Sequence, residues 1–393
     1  MMAGASERGG REAGALSLRG VSKAYADVRA VDDVSLDARP GEFVTLLGPS
    51  GSGKTTTLRI IAGFIRADAG TVVLDGRDLT HVPPYRRDVG MVFQNYALFP
   101  HMTAAGNVSF PLQMRRTAKH EIQRMVEDAL RLVRLEGMGE RYPRQLSGGQ
   151  QQRIALARAL VFNPSLLLMD EPLGALDKKL REALQLEIMQ LSHRLGVTVI
   201  YVTHDQEEAL VMSDRIAIYS QGRIEQLGTG EELYERPSSL FVADFVGESN
   251  IFGGTLRAGD AVLVTDRGLN IRVSPDAIRR RGLPDGSAAV VVRPERVWIR
   301  SPDDSVGTGP HDAAAMRGHV REVIYLGSSR KFVVEVEGGR IVTARLQEER
   351  HGSVPAGPEV LVGWHVDDGV VVPGASAEAY AQPEEIALSS SGT

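Results

Sequence analysis

Residues 48–55 read Gly-Pro-Ser-Gly-Ser-Gly-Lys-Thr, directly after the apolar run Phe43-Val44-Thr45-Leu46-Leu47 and directly before the helix-like stretch Thr56 to Ala62. This is the G-x-x-x-x-G-K-[ST] phosphate loop in strand-loop-helix context. Gly48, Gly51 and Gly53 let successive backbone N–H groups turn inward on phosphates, with Pro49, Ser50 and Ser52 completing the cradle. Lys54 can reach the outer phosphates, the Thr55 hydroxyl can ligate Mg²⁺, and Thr56 opens a helix whose positive end faces the anion. A Gly/Ser-rich turn could join a strand to a helix without binding anything. Three glycines, Lys54 and Thr55 at the required offsets make nucleotide binding the stronger reading.

The chain's 393 residues, 42% of them hydrophobic, are enough for a substantial core in two or three domains. A net charge of −5 argues against wholesale nucleic-acid binding, and clusters such as Arg279 to Arg281 read as solvated surface. With no cysteine there is neither a disulfide framework nor a thiolate metal site, and cytosolic conditions fit. Residues 1–15 lack the apolar core of a secretion signal, and no apolar run approaches the ~18 residues of a membrane span. Any membrane role must come through partner subunits.

Outward from the loop, Leu16–Val21, Val31–Ala38, Thr71–Leu74 and Val89–Phe93 read as strands. Ile122, Met125, Val126, Ala129, Leu130 and Val133 then follow helical spacing, so an α-rich insert occupies roughly 96–145. Strand and helix signals alternate through Leu166–Met169, Leu176–Leu195, Val197–Val202, a helix from Gln206, and Arg215–Tyr219, the pattern of an α/β core. Beyond about Gly247, Val-rich alternating segments such as Ala288–Val292, Lys331–Val336 and Val360–Val362 predict a separate small β domain. Residues 374–393, rich in Ala, Ser and Glu, read as disordered.

The run Leu166-Leu167-Leu168-Met169-Asp170-Glu171 is a buried strand ending in two acids. Asp170 would hold the magnesium shell, and Glu171 is placed to polarise a water for attack on a γ-phosphate. Leu146-Ser147-Gly148-Gly149-Gln150, opening a helical run, is a second anion-binding device at a helix N-terminus. Two phosphate grips of different design suggest that one serves the chain's own nucleotide and the other a neighbour's.

Leu146 to Gln150 resembles the signature sequence of ATP-binding cassette (ABC) ATPases, and the surrounding motifs match that family in order over roughly 16–247. The resemblance implies an α/β phosphate-loop (P-loop NTPase) cassette with a helical subdomain at about 96–160. It also implies a head-to-tail dimer with ATP between the phosphate loop of one copy and Ser147, Gly148, Gly149 and Gln150 of the other. Tyr25 matches the aromatic that stacks on adenine, and Gln94 matches the glutamine that touches magnesium and the attacking water. His204 matches the switch histidine that bridges the γ-phosphate and Glu171, and Asp177 matches the loop crossing the dimer interface. Many relatives have Ser where Gly174 stands, so a hydroxyl contact is missing there.

Arg293-Pro294-Glu295 and 318–327 resemble the OB-like, TOBE-type accessory domain of bacterial importer ATPases, here expected over 248–373. Tyr96 to Met102, Asp205 to Asp214 and Phe245 to Asn250 look most like the spermidine/putrescine subgroup. Iron(III), sugar, phosphonate and thiamine importers share nearly the same cassette, so those solutes stay open. So do two functions of another class, a soluble regulatory ATPase and a non-hydrolytic nucleotide sensor. The importer reading implies a peripheral subunit on the cytoplasmic face of the membrane. Its partners would be a second cassette, permease subunits docking on exposed aromatics near Tyr96, Leu98 and Phe99, and indirectly a solute-binding protein.

Overall fold

The computed structural model describes residues 14–174, 177–266, 268–302, 312–347 and 357–374. The two terminal segments expected to be disordered fall almost wholly outside the described residues, as do Ala175 and Leu176 beside Asp177. The chain divides into two compact units, one ending at Gly230 and one beginning at Glu231. The sequence reading draws its own line at Gly247.

In the first unit β1 (Leu16–Tyr25), β2 (Val28–Ala38), β4 (Ala69–Leu74) and β5 (Arg77–Asp78) form an antiparallel sheet of order β2-β1-β4-β5. The central sheet uses β3 (Phe43–Leu47), β6 (Val89–Val92), β7 (Leu166–Asp170), β8 (Thr198–Thr203), β9 (Arg215–Ser220) and β10 (Arg223–Gly228) in the order β10-β9-β3-β8-β7-β6. All its pairings are parallel except β9 with β10.

Alternation decides how this sheet is covered. A strand's side chains point to opposite faces in turn, and here both faces are apolar, as expected for a parallel sheet buried on both sides. Leu166 and Leu168 of β7, with Ile200 and Val202 of β8, join one core with Leu58, Ile60 and Ile61 of α1 (Lys54–Ala62) and with Leu16 and Leu18 of the antiparallel sheet. Leu167, Met169, Val199 and Tyr201 face the other way. That second core takes in Val108 and Leu112 of α2 (Ala104–Met114), Val126, Ala129 and Leu130 of α3 (Lys119–Leu132), Ile154 and Ala157 of α4 (Gly148–Leu160), and Leu184 and Ile188 of α5 (Lys178–Leu195). The predicted α-rich insert is thus α2 and α3. The long helix begins at Lys178 instead of Leu176, because the Asp177 carboxylate accepts the Leu180 N–H at 3.0 Å as an N-cap. A short α6 (Gln206–Met212) follows β8.

The second unit carries the short helices α7 (Gly230–Glu235) and α8 (Leu240–Phe245), then β11 (Asn250–Arg257), β12 (Val262–Thr265), β13 (Asn270–Arg272), α9 (Pro275–Arg281), β14 (Gly286–Val292), β15 (Trp298–Arg300), β16 (Asp312–Tyr325), β17 (Ser329–Val336), β18 (Arg340–Gln347), β19 (Glu359–His365) and β20 (Gly369–Pro373). Two antiparallel sheets, β13-β12-β11-β14-β20 and β15-β19-β16-β17-β18, share a core that includes Phe252, Val290, Phe332 and Trp364. Arg293 is buried. It donates to the carbonyls of Tyr234, Ala243 and Gly247 and to Ser249 Oγ, so it satisfies the last turns of α7 and α8. The Arg-Pro-Glu motif is therefore a fastener within this unit.

Candidate active site

Parallel strands deliver their chemistry at their carboxyl ends, and Lys54, Thr55, Gln94, Asp170, Glu171 and His204 all lie there. The phosphate loop leaves β3, and its glycines are needed where neighbours press close. A Cβ on Gly48 would lie 2.4 Å from the Tyr219 carbonyl, and Gly53 holds φ at 103°. Lys54 is buried at the start of α1, its Nζ 2.8 Å from the carbonyl oxygens of both Gly48 and Pro49. Burial pushes its ammonium below the ordinary lysine range, opposed by the charges of Glu171 and Asp170.

Asp170 ends β7 and accepts a hydrogen bond from Thr55 Oγ1 at 3.1 Å. Burial raises its carboxyl above the usual range, and the bond from Thr55 works against that rise. Glu171, the next residue, stands at φ 43°, a left-handed conformation that costs a non-glycine residue about 1–2 kcal/mol. Its N–H donates to the Val202 carbonyl at 3.0 Å, so β8 holds the unusual backbone in place. The turn aims the carboxylate between two partners. Gln94 Nε2 donates to Oε2 at 3.2 Å, and His204 Nδ1 lies 3.3 Å from Oε1. Gln94 follows β6 and His204 follows β8, so three strand ends converge on one carboxylate.

Ser147 is the N-cap of α4. Its Oγ accepts the Gln150 N–H at 3.3 Å, and Gln150 Oε1 accepts the Ser147 N–H at 3.0 Å, a reciprocal capping box. Ser147 and Gly148 are exposed and Gly149 is buried. Among the described residues no hydrogen bond joins 146–150 to 48–55. Tyr25 ends β1 half exposed, with Lys23 Nζ 5.5 Å from its ring centroid.

One expectation is corrected. Tyr96 is buried, not an exposed aromatic, and Leu98 and Phe99 are half-buried. Tyr96 and Ala97 both hold left-handed backbone, at φ 57° and 46°, and Arg158 of α4 donates to both of their carbonyls at 2.7 Å. That grip turns the Tyr96 ring into the helical core. The exposed aromatics among the described residues of this unit are Tyr25, Phe64, Tyr85 and Tyr142.

Glu208 of α6 escaped the sequence reading. It is buried, and its Oε2 accepts hydrogen bonds from Tyr201 and Thr203, both at 2.7 Å, while Asp205 caps its N–H at 3.2 Å. The network fixes the turn that presents His204. Asp205 followed three residues later by Glu208 is a helix-start signal that marks it in the sequence.

The arrangement can hold a polyphosphate at 48–56, a divalent cation at Thr55 and Asp170, and a water beside Glu171. Comparison with known proteins agrees with this chemistry. Residues 31–174 match the ABC transporter family model and residues 290–372 the TOBE domain model. The chain is 48% identical to the spermidine/putrescine import ATP-binding protein PotA of Rubrobacter xylanophilus, across 91% of this chain and 94% of that one. It is 47% identical to the proteins of the same description from Thermobifida fusca (92% and 94% covered) and Acidothermus cellulolyticus (95% and 97%). Among solved structures, the dimeric post-hydrolysis state of the ATP-binding cassette MJ0796 bound to ADP and Pi aligns at a TM-score of 0.50 and 35% identity, over 55% of this chain and 98% of that one. The expected α/β cassette followed by a small antiparallel β domain is borne out.

Proposed function

The chain belongs to the ABC transporter family of ATPases, and from that premise we propose that it powers an importer for spermidine and putrescine. It is an ATP-binding, ATP-hydrolysing subunit that works through separate permeases. Full-length similarity to proteins named for that import supports the solute. No helix among the described residues is long and apolar enough to cross a membrane. We place the subunit peripherally on the cytoplasmic face, with a solute-binding protein acting on the far side.

In the mechanism we propose, two copies meet head to tail. Tyr25 stacks on adenine, residues 48–56 cradle the phosphates of one copy, and Ser147 to Gln150 of the other copy close over them, with Asp177 at the seam. Ser147 Oγ already accepts the Gln150 N–H. Its own proton is therefore free to donate to a phosphate oxygen outside the helix. Lys54 draws charge off the outer phosphates.

The oxygens of Thr55, Asp170 and Gln94 are hard donors of the kind Mg²⁺ prefers, and Thr55 Oγ1 and Asp170 Oδ1 already lie 3.1 Å apart. Among the described residues no trio of His, Cys, Asp or Glu could hold a metal unaided. This suits an ion that arrives with its phosphates. Bound there, it would neutralise charge on the β- and γ-phosphates. Glu171 orients the attacking water and accepts its proton as the bond to ADP breaks, and His204 steadies the carboxylate against the γ-phosphate.

The observation that carries this reading is the Glu171 carboxylate held at 3.2 Å by Gln94 and 3.3 Å by His204 beside the phosphate loop. Glu171→Gln keeps a hydrogen-bonding side chain and loses the base. ATP binding persists, the variant accumulates as a dimer, and turnover falls by roughly 10²–10⁴. Near-normal hydrolysis by that variant contradicts the assignment. Uptake of labelled spermidine by a strain restored with this gene tests the solute, and uptake of iron(III), sugar, phosphonate or thiamine instead redirects it.

A further inference from the structure

The phosphate loop is gripped from behind by two hairpins, β1–β2 and β9–β10, that lie outside residues 48–56. β9 and β10 are joined by the turn Gln221-Gly222, both left-handed at φ 46° and 81°. The Gly222 N–H donates to the Ser52 carbonyl at 3.0 Å, and the Gly222 carbonyl accepts the Asp32 N–H of β2 at 2.9 Å. A Cβ on Gly53 would lie 2.3 Å from the Ala30 carbonyl of β2 and 3.4 Å from Gly222 Cα. The loop is therefore cast against the β1–β2 hairpin, which also carries Tyr25, and against the β9–β10 turn.

A pair of side chains fixes the turn to β2. The Asp32 carboxylate, 13% exposed, takes Arg223 Nε at 2.7 Å and Nη2 at 2.6 Å, and it takes Arg29 Nη1 at 2.8 Å. Two guanidinium groups hold that carboxyl below its ordinary range.

The peptide geometry gives these contacts a consequence for ligand binding. In a trans peptide the C=O and the following N–H point in opposite directions, and no peptide bond here is cis. When the Gly222 N–H holds the Ser52 carbonyl, it turns the Gly53 N–H away from the turn and toward the loop's opposite, concave side. We propose that the Gln221-Gly222 turn, locked to β2 by Asp32 and Arg223, is a positioning device that aims the Gly53 N–H at the nucleotide phosphates. This rests on the nucleotide-binding reading of 48–56. Arg223 and Gly222 touch no ligand; they act through the loop.

Calorimetric titration of the full-length protein with ADP tests it, alongside kcat and KM for ATP and the thermal midpoint without nucleotide. Gly222→Ala forces a Cβ at positive φ against the Ala30 and Arg29 carbonyls, each 3.1 Å away. It should weaken ADP binding about tenfold, the worth of one hydrogen bond to a charged group. Arg223→Ala should weaken it about threefold, as expected for an exposed ion pair. Arg223→Lys should recover most of that, with kcat at saturating ATP within about twofold of wild type. Lys54→Ala is the control for the site itself.

If Gly222→Ala and Arg223→Ala bind ADP normally while Lys54→Ala does not, the nucleotide reading stands and the positioning role falls. Normal binding by Lys54→Ala overturns both. A loss matched by a lowered thermal midpoint and not rescued by Arg223→Lys makes the pair merely structural and also overturns the proposal.

Discussion

Replacing Arg87 with methionine should destabilise the cassette by about 2 kcal/mol, and the structure says why. In sequence Arg87 is one of two basic residues before Asp88. In the fold it is buried. Its Nε donates to the Val82 carbonyl at 2.8 Å, Nη1 to Ile60 and Ile61 at 2.8 and 2.6 Å, and Nη2 to Leu79 at 2.6 Å. Ile60 and Ile61 belong to the last turn of α1, whose carbonyls lack partners within the helix. Burial lowers the guanidinium's pKa, and the Asp78 charge partly restores it.

Methionine would fill the space without donating. The Ile60 and Leu79 carbonyls keep main-chain donors, Gly63 N and Val82 N, each at 3.0 Å. Those of Ile61 and Val82 are left without one among the described residues. Two stranded carbonyls cost about 1–3 kcal/mol each. Release of a desolvated guanidinium returns part of that, leaving the ~2 kcal/mol above. For a unit of this size that corresponds to a drop of roughly 4–8 °C in thermal midpoint, measured by calorimetry on the nucleotide-free protein. A variant that melts with the wild type or above it would refute the idea that this arginine closes the C-terminal end of the phosphate-loop helix.

Ser147→Ala removes the cap of α4 and should cost about 1 kcal/mol of stability together with turnover. Ser147→Asp restores the cap but sets a negative charge against phosphate, so calorimetry and ATPase assays should part company, with stability regained and hydrolysis not. Burial raises the Glu208 pKa, against the pull of the Thr203 and Tyr201 hydroxyls. A carboxyl with a folded pKa above its unfolded one contributes stability below the unfolded value and loses it as pH rises through the folded one. The stability of Glu208→Gln relative to wild type should therefore improve as pH climbs out of the ordinary carboxylate range. Denaturant titrations across that range would test this, and a constant difference would count against it.

What could be read from the sequence was whatever chemistry pins to fixed spacing. The phosphate loop, the acids ending β7 and the Ser-Gly-Gly-Gln helix start announce themselves, because a ligand dictates residue types at adjacent positions. The alternating and helical apolar patterns likewise placed β7, β8, α3 and α5. Arg87, Arg158 and Gly222 stayed silent, because each acts on backbone that is close only after folding. Asp32 and Arg223, far apart in the chain, lie in different sheets and meet only where the two sheets of the first unit pack together. The burial of Tyr96 was missed for the same reason, since an aromatic after a strand gives no hint of the arginine that turns it inward. The short helices α7, α8 and α9 are too brief for periodicity to reveal them, and the capping of α7 and α8 depends on Arg293 and on Ser239.

If each nucleotide is enclosed by two chains, residues of both copies meet across it, and the lack of any native cysteine among the 393 residues opens that contact to cross-linking. Two preparations carrying Glu171→Gln, one with Ser50→Cys and the other with Ser147→Cys, are mixed and treated with a short bifunctional thiol reagent. With MgATP present, a covalent dimer joining one of each is expected, and none when ATP is omitted. ATP binding without that cross-link, or a product joining only two Ser147→Cys chains, would contradict it.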